Sequence, residues 1–268
     1  MPFNALTVSI VIPVYNEENY LKDCLDSIAE QTVRPLEVFV VDNNSTDLSP
    51  KIAASYPFVT LLYEKRQGQV FARSKAFNKA KGDILGCVDA DSILPEDWVE
   101  SMVNRFEDED VVAVTGDADP YDTPFKSAAG AVFRFYHATV SCFASGHSML
   151  WGANCAFRRS AWRKIKTQLS YRRDVWEDYE MSFYLARLGQ IVHEPSIKLG
   201  CSFRAAHQTL VKQYEYQFRA VRTFALNTSR SRTALFAVMW YSLLLLYPIA
   251  RIDNAVLEKR RARADAVV

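Results

Sequence analysis

The first 120 residues alternate short apolar runs with segments of helical periodicity. Val8-Ser9-Ile10-Val11-Ile12 is β-branched and stops at Pro13, the pattern of a buried strand. Leu21, Cys24, Leu25 and Ile28 then recur at helical spacing, with Lys22, Asp23, Asp26 and Glu30 between them. Leu36 to Val41 predicts a second strand, ending in the turn-forming cluster Asp42-Asn43-Asn44-Ser45-Thr46-Asp47. A weak helix from about Pro50, a strand over Val59–Tyr63, a helix over Gln69–Ala80 closed by Gly82, and a strand over Ile84–Val88 follow. Pro95 opens a helix striped by Trp98, Val99, Met102, Val103 and Phe106, and Val111–Thr115 predicts a further strand.

This alternation predicts an α/β chain with a mostly parallel central sheet flanked by helices. Ligands of such sheets sit in the crevice at the strands' carboxyl ends. Three acid-rich segments fall there: Asn16-Glu17-Glu18, Asp42 to Asp47, and Asp89-Ala90-Asp91. The second half is less regular. Phe125–Phe143 is apolar with helical character, Trp151 to Phe157 reads as a turn entering a strand, and Asp178–Leu188 is helical up to Gly189. A strand is expected at Cys201–Arg204. Leu210, Val211, Tyr214, Phe218, Val221, Phe224 and Ala225 form an apolar stripe opposed by Lys212, Arg219 and Arg222, an amphipathic helix with a basic face. Leu235 to Ala250 is uncharged, with Arg230 and Arg232 before it and Arg251, Lys259, Arg260, Arg261 and Arg263 after it. It reads as a short span, an interfacial helix or a dimerisation helix, and membrane association is the expectation. Residues 1–205 are expected to be one catalytic domain, and residues 206–268 a C-terminal helical extension.

Composition narrows the classes. Lys and Arg total 32 against 31 Asp and Glu, a formal charge of +1, which argues against a globally basic nucleic-acid binder. Five scattered cysteines without a C-x-x-C pair disfavour a disulfide scaffold or a structural zinc site. The opening residues show neither a basic segment nor a cleavage site, so no secretion signal is read. Two carboxylates one residue apart after a buried strand, as in Asp89-Ala90-Asp91, suit Mg²⁺ or Mn²⁺ with a bound diphosphate. Alone, such a pair is equally an Asx-turn. No G-x-G-x-x-G follows the first strand and no G-x-x-x-x-G-K-[ST] occurs, which disfavours Rossmann and P-loop chemistry.

Taken together, these segments resemble glycosyltransferase family 2, with the GT-A fold. The resemblance rests on Val8 to Glu18, on Val40-Val41-Asp42-Asn43-Asn44-Ser45-Thr46-Asp47 with Asn43 where the family often has Asp, on Gly68, Ala72 and Arg73, on the D-x-D, and on Gly152-Ala153-Asn154. It covers roughly residues 7–205. It implies a metal-dependent inverting transfer of a sugar from a nucleotide-sugar donor, UDP-linked by expectation, to an acceptor hydroxyl. Pro13, Tyr15 and Glu17 should line the nucleotide pocket, with Asp42 accepting from the base and Arg73 beside the nucleotide. Asp89 should reach the ribose or metal-bound water, and Asp91 the metal (Mg²⁺ or Mn²⁺), joined by His207. Asp178, in the pair Glu177-Asp178, should be the catalytic base, with Asn154, Trp176 and Glu177 on the acceptor side. A glycan or lipid-linked acceptor, a membrane surface and a homodimer are the expected partners, at the cytoplasmic face of the membrane. The rival readings are a nucleotidyltransferase, disfavoured because Val14 to Asn19 holds no Gly, Lys or Arg, and a catalytically silent membrane-bound scaffold.

Overall fold

The computed structural model describes residues 6–123, 125–204, 208–246 and 248. Seven strands form one sheet in the order β3-β2-β1-β4-β6-β5-β7: β1 (Val8–Val14), β2 (Glu37–Asp42), β3 (Val59–Tyr63), β4 (Ile84–Val88), β5 (Val111–Pro120), β6 (Asn154–Arg158) and β7 (Gln190–Cys201). β1, β2, β3 and β4 are mutually parallel, β6 runs antiparallel between β4 and β5, and β5 and β7 are parallel. Every residue of β1 and β4 is buried, as the near-continuous apolar runs require of strands covered on both faces.

Two apolar clusters sandwich the sheet. One gathers Ile10, Ile12, Leu25 and Trp98 with helices α1 (Leu21–Ala29) and α4 (Trp98–Arg105). The other gathers Val11, Phe77, Leu85 and Trp162 with α3 (Gln69–Lys79) and α7 (Arg159–Ile165), while α2 (Ser49–Ala54) joins β2 to β3. After β5 the chain forms α5 (Lys126–Arg134), a π-helical turn over Phe135–Val140, and α6 (Ser141–Ser145). Then come α8 (Glu177–Leu185), α9 (Leu210–Asn227), α10 (Arg230–Tyr241) and a 3₁₀ turn over Ser242–Leu246. A third cluster, with Tyr179, Phe224, Phe236 and Trp240, packs α8, α9 and α10 together.

The strand order sets the site. β1 leads rightward in sequence to β2 on one side and has β4 on the other, so the carboxyl ends of β1, β2 and β4 open at a topological switch point. Pro13 is tolerated in this central strand because the β1–β4 ladder ends at Val11↔Cys87, before the proline would owe a hydrogen bond there.

Two strand expectations need correction. β5 is twice the predicted length, ending at Pro120. β7 takes in the polar stretch 190–201, where a strand was expected only at Cys201–Arg204; Arg204 lies past its end. The β5–β7 register jumps from Gly116↔Glu194 to Asp117↔Lys198, and this irregularity absorbs Pro195. All five cysteines are free. Among the described residues no helix is long and apolar enough to cross a membrane: α10 stops at Tyr241.

Candidate active site

The loops after β1 and β2 brace each other. Asn16, at φ +56°, accepts at Oδ1 from the Thr46 N–H at 2.8 Å, and its own N–H donates to Ser45 Oγ at 3.0 Å. The Glu17 N–H donates to Ser49 Oγ (2.8 Å), the Glu18 N–H to Asp47 (3.0 Å), and the Leu48 N–H to the Glu18 carboxylate (2.9 Å). Asp42 is buried at the tip of β2 and accepts from the Ser45 N–H at 3.2 Å. The exchange of Asp for Asn43 has a physical reason. Its amide donates to the Glu64 and Arg66 carbonyls at 2.8 and 2.9 Å, and its Oδ1 accepts from the Gly68 N–H at 2.7 Å. An ionised carboxylate can accept but not donate, so Asp could not make the first two bonds. Tyr15 stands 51% exposed at the cleft rim, while Pro13 is buried in the strand beneath.

Arg73 crosses from α3 to the far wall. Its side chain is 5% exposed. Nη2 donates to Asp89 Oδ1 at 2.6 Å and to the Gly152 carbonyl at 2.9 Å, and Nη1 pairs with Glu177. Burial alone would lower the guanidinium's pKa, but Glu177 and Asp89 raise it above its ordinary value. Gly152 must lack a side chain, because a Cβ there would stand 2.5 Å from Arg73 Nη1. The Gly152 N–H in turn donates to Asp178 Oδ2 at 2.8 Å, and Asp178 Oδ1 accepts from the Tyr179 N–H at 2.8 Å. Asp89, Arg73, Gly152 and Asp178 are therefore linked in one continuous chain. Burial and the neighbouring Glu177, only partly offset by Arg73, push Asp178 up to about 7. Asp91 is likewise pushed up to about 7, by burial first and then by Asp89, with Arg204 opposing and Glu17 adding.

The Asp91 pair suits a hard divalent cation in donor chemistry. Glu17 Oε2 is buried without a partner, and the crowded carboxylates hold more negative charge than the nearby arginines offset. Among the described residues no three His, Cys, Asp or Glu side chains enclose a metal by themselves. Mg²⁺ and Mn²⁺ complete their shells with phosphate oxygens and water, so they need no such cluster. His207 lies outside the described residues.

Two residues expected on the acceptor side have partners within the protein. Asn154 is fully buried, and its side chain is spent inside: Oδ1 accepts from Trp98 Nε1 at 2.8 Å, and Nδ2 donates to the Asp117 and Ile197 carbonyls at 3.0 and 2.9 Å. Glu177 faces Arg73 and holds it. Trp176 packs its ring 4.6 Å from that of Tyr216 and 4.9 Å from that of Tyr179.

Sequence reasoning missed several contributors. The Tyr179 hydroxyl meets Ser141 Oγ at 2.9 Å and His137 Nδ1 at 3.1 Å, fastening the first turn of α8 to the π-helical segment. Burial depresses His137 to about 3, so it is neutral here. Tyr216, from α9, sets its ring 4.6 Å from that of Trp176, which puts a helix of the C-terminal region beside the cleft. Arg204 pairs with Glu17 and Asp91. Only Arg204 left a trace, as the single charge between Cys201 and His207.

Comparison with known proteins fits this geometry. Residues 9–166 match the family described as Glycosyl transferase family 2, more than half of the chain. The chain belongs to glycosyl transferase family 2. Asp178 and α9 lie beyond the matched segment of this family domain. A putative glycosyltransferase, EpsH, of Bacillus subtilis (strain 168) is 26% identical over 216 residues, which cover 79% of this chain and 60% of EpsH. Glycosyltransferase GlyG of Streptococcus pneumoniae is 32% identical over 120 residues, covering 43% of this chain and 40% of GlyG. The chain thus spans about 60% or less of these relatives' length. The mannosyltransferase PcManGT of Pyrobaculum calidifontis, solved in complex with GDP-Man and Mn²⁺, superposes with a TM-score of 0.64 at 24% identity, covering 98% of this chain and 77% of PcManGT. TarS 1–349 of S. aureus gives 0.57 at 14% identity, covering 97% and 92%. These likenesses establish the GT-A fold of the family 2 domain.

Asn154→Ala separates a structural from a substrate role. Three buried partners lose their bonds, and each orphaned polar group costs about 1–3 kcal/mol. Denaturant titration should show a loss of about 3 kcal/mol or more, with the acceptor KM of the surviving fold unchanged. A raised KM at unchanged stability would return Asn154 to the acceptor side.

Proposed function

We propose that this chain is a metal-dependent, inverting glycosyltransferase that moves a sugar from a nucleotide donor to an acceptor hydroxyl. One observation carries the reading: through Arg73 and Gly152, Asp178 is held at the same cleft as Asp89 and Asp91. The base of the nucleotide rests between the braced loops, with Tyr15 at the rim and Asp42 beneath. The donor is taken as UDP-linked, Asp42 accepting from the uracil N3–H. The GDP-Man of the Pyrobaculum neighbour marks the alternative, since the guanine N1–H can donate to the same carboxylate.

Displacement at an anomeric carbon passes through an oxocarbenium-like state, and the acceptor hydroxyl must lose its proton as it attacks. Asp178 takes that proton. Its two hydrogen bonds from the Gly152 and Tyr179 N–H groups fix the carboxylate's orientation, and a raised pKa makes it a stronger base than a solvated aspartate. On the opposite side, Mg²⁺ or Mn²⁺ held by Asp91 with Asp89, joined by His207, would offset the charge of the departing diphosphate. Arg73 is a positioning residue: it keeps Asp89, Glu177 and the Gly152 loop in register. Trp176 and Tyr216 flank the acceptor side. The nucleotidyltransferase reading gains no support here, because the loop after β1 carries carboxylates where a triphosphate needs cations.

The C-terminal helices support membrane attachment at the cytoplasmic face and, with it, a lipid-linked or envelope glycan as acceptor. Leu210, Val211, Tyr214 and Phe218 of α9 are exposed, on a helix that also carries Lys212, Arg219 and Arg222. Because α9 also supplies Tyr216, residues 206–268 would be an extension that brings the acceptor's surface to the cleft. Apolar side chains together with basic ones suit an anionic lipid interface.

Asp178→Asn should abolish transfer while still binding donor, and Asp91→Ala should lose Mn²⁺-dependent donor binding, both read by calorimetry and product formation. Full transfer activity in either variant refutes its assignment. The ionised Asp178 is the active form, so kcat should fall as pH drops through about 7. A profile flat down to pH 5 would exclude it as the base.

Co-sedimentation with phosphatidylserine vesicles at low salt should retain the protein, and a Leu210→Ser/Val211→Ser/Phe218→Ser variant should stay in the supernatant. Equal retention of both would sink the membrane reading. An unretained wild type of twice the chain mass would favour the homodimer instead.

A further inference from the structure

The site as described leaves one cation unassigned. Arg204, just past the end of β7, places Nη2 2.7 Å from Glu17 Oε1 and 3.1 Å from Asp91 Oδ2. Its guanidinium lies 4.5 Å over the Tyr20 ring. The short segment before it is tied to the strand β5 side: Ser202 Oγ and the Phe203 N–H both donate to Asp122 at 2.6 Å. Tyr121 belongs to the same connection, its hydroxyl donating to the Asp91 carbonyl at 3.0 Å. Arg204 thus reaches the cleft from an anchored base, with its side chain 41% exposed.

Its present partners are telling. Glu17 belongs to the nucleotide loop and Asp91 is the residue that would hold the metal. A guanidinium and a divalent cation cannot share the same face of one carboxylate without strong repulsion. Arg204 supplies one positive charge where a divalent cation would supply two, and Glu17 keeps a buried oxygen without a partner even now. The planar fork of arginine suits phosphate oxygens as well as carboxylates, which makes a diphosphate entering beside the metal its natural next partner.

We propose that Arg204 is a donor-binding residue parked on the metal's carboxylate: binding of a divalent cation at Asp91 releases it, and it then clamps the nucleotide's diphosphate. The inference rests on the glycosyltransferase reading above and adds an order of events. In the unloaded cleft the chain's own arginine offsets part of the carboxylates' charge, and metal and nucleotide together replace that pairing. Metal binding is weakened by the competition, while nucleotide binding gains a cation that only the metal-loaded state makes available.

The test is calorimetry on the full chain, wild type against Arg204→Ala and Arg204→Lys. Mn²⁺ is titrated alone, and UDP and GDP are then titrated at saturating Mn²⁺. The Ala variant should bind Mn²⁺ alone about fivefold more tightly or better, and the preferred nucleoside diphosphate about tenfold more weakly, close to 1.4 kcal/mol. The Lys variant should fall between Ala and wild type on both. Purely structural damage would weaken both ligands together, so opposite shifts are the signature. Unchanged or weaker Mn²⁺ binding in the Ala variant overturns the proposal, as does unchanged diphosphate affinity or the absence of Mn²⁺ binding in every protein. If wild type binds nucleotide in a Mn²⁺-dependent way while the variants match it, only Arg204's role falls. If wild type binds neither nucleotide, the glycosyltransferase reading falls with it.

Discussion

A buried guanidinium organises this molecule. Arg73 reaches from α3 to Asp89 at the end of β4, to Glu177 at the start of α8, and to the Gly152 carbonyl in the loop before β6. These partners lie 16, 104 and 79 residues from Arg73 in the chain. Loss of one partner from a buried ion pair of this kind typically costs about 3–5 kcal/mol, because the remaining charge is left without water. The same pairing that stabilises the cleft therefore fixes the distance between its two chemical poles, the D-x-D on one side and Asp178 on the other.

The architecture makes that arrangement available. Parallel β1, β2 and β4 deliver their acidic carboxyl ends to one edge, and antiparallel β6 starts at that same edge because Asn154 pairs with Val88. The Gly152 loop is thereby brought against the D-x-D. Buried polar bonds then lock each part: Asn154 joins Trp98 to β5 and β7, Asn43 joins the β2 loop to the segment before α3, and Tyr179 joins α8 to the π-helical turn through His137 and to α6 through Ser141. Raised pKa values at Asp91 and Asp178 are a consequence of this dry, crowded setting, and such shifts concentrate where proton transfer and cation binding occur.

Much of this was legible in the residue order. β1, β2 and β4 are apolar and β-branched, so their patterns stand out, and the acidic clusters after them point to the cleft. The strands and roles that escaped reading did so for physical reasons. β7 alternates inward Ile197, Leu199 and Cys201 with polar neighbours, but Pro195 breaks the pattern and only pairing with the bulged β5 restores it. Asn154 and Glu177 enter the candidate site through the family resemblance alone. Their internal partners, Trp98 with β5 and β7 for one and Arg73 for the other, lie far away in sequence and leave no local pattern. Tyr216 and His137 belong to elements whose placement against α8 depends on tertiary packing, which no local spacing encodes.

A crystal structure of the Asp178→Asn variant with nucleotide sugar and Mn²⁺ bears on all of this at once. The side chain at position 178 should face the anomeric carbon from the side opposite the diphosphate, with the metal between the diphosphate and Asp91. A sugar whose anomeric carbon turns away from position 178, or a diphosphate lying on the same side as that side chain, would contradict the assignment of Asp178 as the base of an inverting transfer.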